Sequence, residues 1–184
     1  MNELRDKKTA RQAAFIHRLT QAKDRLLLAI EDLDHLTLSK ECTVGDWAIK
    51  DVLGHIVSWN EEFRANIEMI LQDKHPGYDH QIREEDDFGN WNQYWIDQKR
   101  DWSVERILVD LDRDYHEAVQ LILRLQPEDF RKRGVTPWKQ AALKNTKALA
   151  KEDTDSVETL VTFHWRHMNE HARELEKWRK QGDK

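Results

Sequence analysis

Val157-Glu-Thr-Leu160-Val161-Thr-Phe-His164-Trp-Arg-His167-Met168-Asn-Glu-His171-Ala172-Arg-Glu-Leu175-Glu-Lys-Trp178 repeats at steps of three and four through Val157, Leu160, Val161, His164, Met168, His171, Leu175 and Trp178. That spacing is one side of an amphipathic α-helix, over about 156–180. Working upstream, the same period recurs in three more segments. Phe15, Leu19, Ala22, Leu26, Ala29 and Leu33 mark a helix over about 8–34. Ile49, Val52, Leu53, Ile56, Phe63, Ile67 and Ile70 mark one over about 48–73. Ile107, Leu108, Leu111, Tyr115, Ala118, Val119, Ile122 and Leu125 mark one over about 103–125. Four such helices, each with one apolar stripe, bury those stripes together as an all-α four-helix bundle with crossover connections.

Local signals punctuate the helices. Ser103 is an N-cap residue with Glu105 in the first turn, and Asp155-Ser-Val-Glu158 reads as a capping box with Asp155 as the cap. Pro127 ends the third helix, and a shorter helix is expected over 90–100, where Trp91 and Trp95 lie one turn apart. The connections 75–89 and 126–154 are long, and no strand pattern stands out. The 184 residues are read as one domain, 1–184, with 1–7 a tail.

Composition narrows the function classes. The net charge is −5 and no run of Lys and Arg is interleaved with exposed aromatics, so nucleic acid is not expected as a partner. The longest apolar run, Leu26-Leu27-Leu28-Ala29-Ile30, is far shorter than a membrane span, so no membrane partner is expected. One cysteine, Cys42, forms no internal disulfide, and a reducing cytoplasm is the simplest location. Of eight tryptophans, Trp59 and Trp178 are expected to border a site, Trp47 to plug the entry to the second long helix, and the rest to pack.

The histidines carry the chemistry. His164, His167 and His171 follow one another at +3 and +4 on one stripe, where a buried imidazole destabilises unless it is hydrogen-bonded or ligated. The alternative is a core edge at which Glu170 or Glu174 bonds them. His55 borders the apolar stripe of its own helix. If the second and fourth long helices run antiparallel, His55 lies level with His167 and His171. Two imidazoles one turn apart can share an ion, whereas His164 and His171, two turns apart, cannot easily do so. His55, His167 and His171 are therefore assigned as metal ligands, with His164 a supporting neighbour and Asp51 a candidate to orient His55. Asp51 has a plainer reading, as an acidic residue in a first helical turn. Imidazole suits Zn, Ni or Fe, and three ligands leave room for water and a small-molecule substrate.

At these residues the chain resembles the DinB/YfiT-like superfamily, with some similarity to its ClbS/DfsB-like branch. The resemblance lies in Trp47-x-x-x-Asp51-Val52-Leu53-x-His55-Ile56-x-x-Trp59, Ser103-x-x-x-Ile107-Leu108-x-x-Leu111, Leu125-x-Pro127-Glu128-Asp129-Phe130 and His167-x-x-Glu170-His171-Ala172-x-x-Leu175-x-x-Trp178. It implies an up-down-down-up bundle, often a homodimer. It also implies a divalent metal, commonly nickel or zinc, on His55, His167 and His171, with a low-molecular-weight thiol (mycothiol, bacillithiol or glutathione) as co-substrate in some members. The implied function is a metal-dependent enzyme that acts on a small electrophile by hydrolysis or thiol transfer. Two alternatives stand beside it. One is a non-catalytic bundle whose 75–90 and 126–154 connections grip a hydrophobic small molecule. The other is a metal-free ClbS-like self-resistance hydrolase with Glu62 or Asp51 as base. Members often carry Ser or Thr after the tryptophan as a helix cap; here Ala48 stands there, and the cap must come from elsewhere, such as Asp46.

Overall fold

A computed structural model describes residues 2–40, 42–44, 46–74, 87–142 and 154–182. His75, His80 and the Ala/Lys-rich part of the 126–154 connection lie outside them. The described chain is predominantly helical. In order it forms α1 (Asn2–Ile30), α2 (His35–Lys40), β1 (Cys42–Val44), β2 (Trp47–Ala48), α3 (Ile49–Leu71), α4 (Asp87–Lys99), α5 (Val104–Arg124), a 3-10 turn at Asp129–Arg131, β3 (Arg133–Gly134), α6 (Pro137–Ala142), β4 (Asp155–Ser156) and α7 (Val157–Gly182). The backbone of α1 is helical from Asn2, inside the stretch expected as a tail.

The four stripes meet in one core. Leu19, Leu26, Ile49, Leu53, Ile56, Ile67, Ile107, Leu111 and Leu160 are all but fully buried. Side-chain pairings fix how the helices run. Arg11 pairs with Glu158 and Arg25 with Glu176, so α1 and α7 lie side by side in the same sense. Thr20 meets Tyr115 while Gln12 meets the end of α5, so α1 and α5 run oppositely. Arg64 with Asp114 and Glu68 with Arg124 align α3 with α5. His55 faces His171 while Phe63 faces His164, so α3 and α7 are antiparallel, the condition on which the histidine assignment depended.

The helix ends show how local chemistry is satisfied. Ser103 Oγ accepts the Arg106 N–H, as its cap position predicts. Buried Gln12 places Nε2 within 3.0 Å of the carbonyl oxygens of Ile122, Leu123 and Leu125 at the end of α5, where helix carbonyls run out of intrahelical donors. At the start of α3, Asp51 Oδ2 reaches back 3.0 Å to the Ala48 N–H, so the missing Ser or Thr cap is replaced by half of a capping box. The cap of α7 differs from the reading above. Ser156 Oγ accepts the Thr159 N–H at 3.0 Å, and Asp155 is drawn away by Thr136 and Trp138.

Two short antiparallel clips, β1 with β2 and β3 with β4, also depart from the expectation of no strands. Strands of two or three residues are too short to display alternation in a sequence. Each clip delivers the chain into a long helix, β2 into α3 and β4 into α7.

Candidate metal centre

The three assigned histidines converge. His55 is the seventh residue of α3 and is buried; His167 and His171, one turn apart in the middle of α7, are half-buried. His55 Nε2 and His171 Nε2 each lie 3.1 Å from His167 Nε2. Among the described residues these three form the cluster of His, Cys, Asp and Glu with metal-ligand geometry.

Proton accounting shows why the arrangement suits a cation. His171 Nδ1 lies 2.6 Å from Glu174 Oε2 and donates to it; in the neutral ring this places the lone pair on Nε2. His167 Nε2 can offer either one proton or one lone pair, yet it faces two other Nε2 atoms. No assignment of protons gives both contacts a two-centre hydrogen bond, whereas one ion at their meeting point takes a lone pair from each nitrogen. Ligands about 2.05 Å from an ion and 3.1 Å from each other subtend an angle of about 98°, between octahedral and tetrahedral values.

The electrostatics agree. Burial, with a smaller contribution from His171, lowers His55 to about 3. Burial and then the neighbouring histidines lower His167 well below its usual value. Both imidazoles are therefore neutral at physiological pH, as ligation requires. Aromatic rings close the surroundings. Trp47 packs 5.1 Å from His55, and Trp59 and Phe63 each sit 6.1 Å from His167, measured between ring centroids. These rings keep water from one side of the cluster.

The remaining expected residues lie elsewhere. His164 is 3% exposed and packs on Phe63 at 6.2 Å, with Nε2 unpartnered among the described residues. Burial, with Arg64 next, lowers it to about 3. It shares the stripe of His167 and His171 but does not enter their cluster. The Asp51 carboxylate is on the Ala48 N–H, and His55 Nδ1 is buried without a partner among the described residues. Glu62 is bonded to Asn66 Nδ2 at 2.7 Å. Trp59 borders the cluster as expected; Trp178 packs against the core. Glu174 as the partner that orients His171 was weighed above only as part of a non-functional arrangement. Its signal was its place three residues beyond His171 on the same face.

Among the described residues, no helix is long and apolar enough to cross a membrane. No curated protein matches the chain. Solved structures share its fold. One is a protein from Streptococcus pneumoniae, 14% identical, with a TM-score of 0.72 over 92% of this chain and 90% of that one. Another is an uncharacterised protein from Escherichia coli UTI89, 12% identical, with a TM-score of 0.71 over 94% of each chain. A third is the colibactin self-resistance protein ClbS in complex with dsDNA, 13% identical, with a TM-score of 0.69 over 92% of this chain and 95% of that one. This last likeness overturns the expectation that nucleic acid is no partner. ClbS was crystallised in complex with duplex DNA, so the absence of a linear basic run does not exclude such a ligand for this fold. The profile of the DinB superfamily matches residues 18–175, through both histidine-bearing helices, and the chain belongs to that superfamily.

Proposed function

We propose that His55, His167 and His171 hold a divalent metal, Ni, Zn or Fe, in an up-down-down-up bundle, and that the protein is a metal-dependent enzyme of the DinB type. It acts on a small electrophilic substrate by hydrolysis or thiol transfer. The observation that carries this reading is the meeting of three Nε2 atoms whose two contacts protons cannot both make as two-centre hydrogen bonds. Bound there, such an ion supplies Lewis-acid character and lowers the pKa of a water or thiol beside it. The chain's own residues do the rest. Glu174 fixes the tautomer and plane of His171. Burial keeps His55 and His167 neutral. Trp47, Trp59 and Phe63 exclude water from one side, which strengthens every charge interaction in the site. The test is the metal content of untagged protein. Stoichiometric metal, lost on changing His55, His167 and His171 together to alanine, is expected. Metal far below one equivalent, or equal in the triple variant, overturns the reading.

The likeness to ClbS supports a second reading, a metal-free self-resistance hydrolase in which duplex DNA is also a partner. It requires a free carboxylate as base, and both candidates are engaged, Asp51 on a helix N-terminus and Glu62 on Asn66. Turnover of an electrophile that survives chelation would favour this reading over the first.

A further inference from the structure

Trp59 and Phe63, beside His167, also belong to a second group of rings. With Phe88, Trp138 and Phe163 they line a cavity of about 310 Å³, at the small end of the range for small-molecule sites. The rings are held at fixed angles. Trp59 and Phe88 lie 5.9 Å apart at 18°, Trp59 and Trp138 5.9 Å apart at 54°, and Phe63 and Trp138 6.2 Å apart at 85°. Both indoles are pinned by their one polar atom. Trp59 Nε1–H donates to Asn92 Oδ1 at 2.9 Å, and Trp138 Nε1–H donates to Asp155 Oδ2 at 2.8 Å. The same Asp155 oxygen takes the Thr136 hydroxyl at 2.7 Å, and both of these partners are buried. Hydrogen bonds thus fix the two indoles in a cluster of contacting rings that lines the cavity. Phe163, 37% exposed, leaves a large ring open to solvent at the rim.

The charged lining residues are Asp155 and Lys139. Asp155 is committed to Thr136 and Trp138. Lys139 has no ion-pair partner among the described residues and is the charge left for a ligand.

We propose that this cavity recognises a planar aromatic ring bearing an anionic substituent, the ring against Trp59 and Trp138 and the anion at Lys139. Its role as the substrate pocket of the neighbouring triad rests on the metal reading above; ligand binding there does not. An anionic aromatic substrate would share two walls, Trp59 and Phe63, with His167.

The experiment is calorimetric titration of the full chain, metal-free and then metal-loaded, with 2-naphthoate and with its neutral analogue 2-naphthamide. Saturable one-to-one binding of 2-naphthoate is expected in both forms, about tenfold weaker in Trp138→Ala and in Phe163→Ala. Phe163 is at the surface, so its variant folds even if Trp138→Ala does not. Lys139→Gln is expected to weaken 2-naphthoate and leave 2-naphthamide unchanged. No saturable binding, or equal affinity in wild type and Phe163→Ala, overturns the pocket. Equal affinity for acid and amide overturns the role of Lys139. Metal content measured on the same samples separates the two ideas. Stoichiometric metal in the untagged protein as purified, without 2-naphthoate binding, sinks the pocket alone; 2-naphthoate binding by a protein that neither carries metal as purified nor takes it up on loading sinks the metal reading alone.

Discussion

Replacing His164 by leucine is expected to stabilise the protein, and more so in acid. The imidazole is buried, its Nε2 has no partner among the described residues, and a small cavity of about 10 Å³ adjoins it, so leucine fits with little repacking. At pH 8 the ring is neutral in folded and unfolded chains alike. The gain is then the removal of one unsatisfied buried group, about 1 kcal/mol. At pH 5 the unfolded chain protonates this histidine, whose usual pKa is 6.5, while the folded chain, at about 3, does not. A folded pKa lowered in this way means that stability is full above about 6.5 and is lost as pH falls towards 3. By pH 5 the wild type has lost about 1.5 pH units' worth, or about 2 kcal/mol, that the variant keeps. For a chain of this size that is about 4–8 °C in Tm. Thermal melts of both proteins at pH 8 and pH 5, with chelator throughout to remove any contribution from bound metal, should show the gap widening by that amount. His167 is lowered first by burial and only last by His164, so its contribution changes little in the variant. A gap that stays constant or narrows, or a variant less stable at both pH values, refutes the reasoning and makes His164 a paired or liganded group.

Two further outcomes follow from neighbouring contacts. Glu174→Gln keeps the fold, since the side chain is nearly half exposed, but frees the plane of His171; metal affinity measured by chelator competition is expected to fall about 10- to 100-fold. Asp114 is buried, and burial raises its carboxyl to about 7 despite Arg64 beside it. The folded chain therefore holds a proton between about pH 4 and 7 that the unfolded chain has released. The associated stability is complete below that window and lost as pH rises through it. Relative to Asp114→Asn, wild-type stability from urea melts should decline from pH 4 to 7 and level off above; a flat difference would contradict the assignment.

The bundle was legible because its period is long and repeated. Phe15, Leu19, Ala22, Leu26 and Ala29, read from spacing alone, are all in the core. The triad was legible for a related reason. A step of four places His167 and His171 on one face, and antiparallel packing brings His55 level with them. What escaped the sequence depends on contacts between distant positions. Gln12 meets carbonyls 110 residues away, and the clip of Arg133 and Gly134 with Asp155 and Ser156 spans the 135–154 stretch. Asp155 was read as a helix cap because its local neighbours fit one; Thr136 and Trp138, remote in sequence, draw it off and leave the cap to Ser156. Lines of charge misled in the same way about nucleic acid, since a fold gathers its surface from residues that no window of sequence holds together.

The meeting of His55 with His167 joins chain positions 112 residues apart, on helices that enter the bundle through different clips. An ion shared between them is a reversible cross-link. By the reasoning applied to disulfides, closing a loop of about 100 residues removes about 4–5 kcal/mol of freedom from the unfolded chain. The ion would then act as a rivet as well as a reagent. Stripping it would loosen the protein as a whole, and the supply of metal in the protein's surroundings would set how much of the chain stays folded.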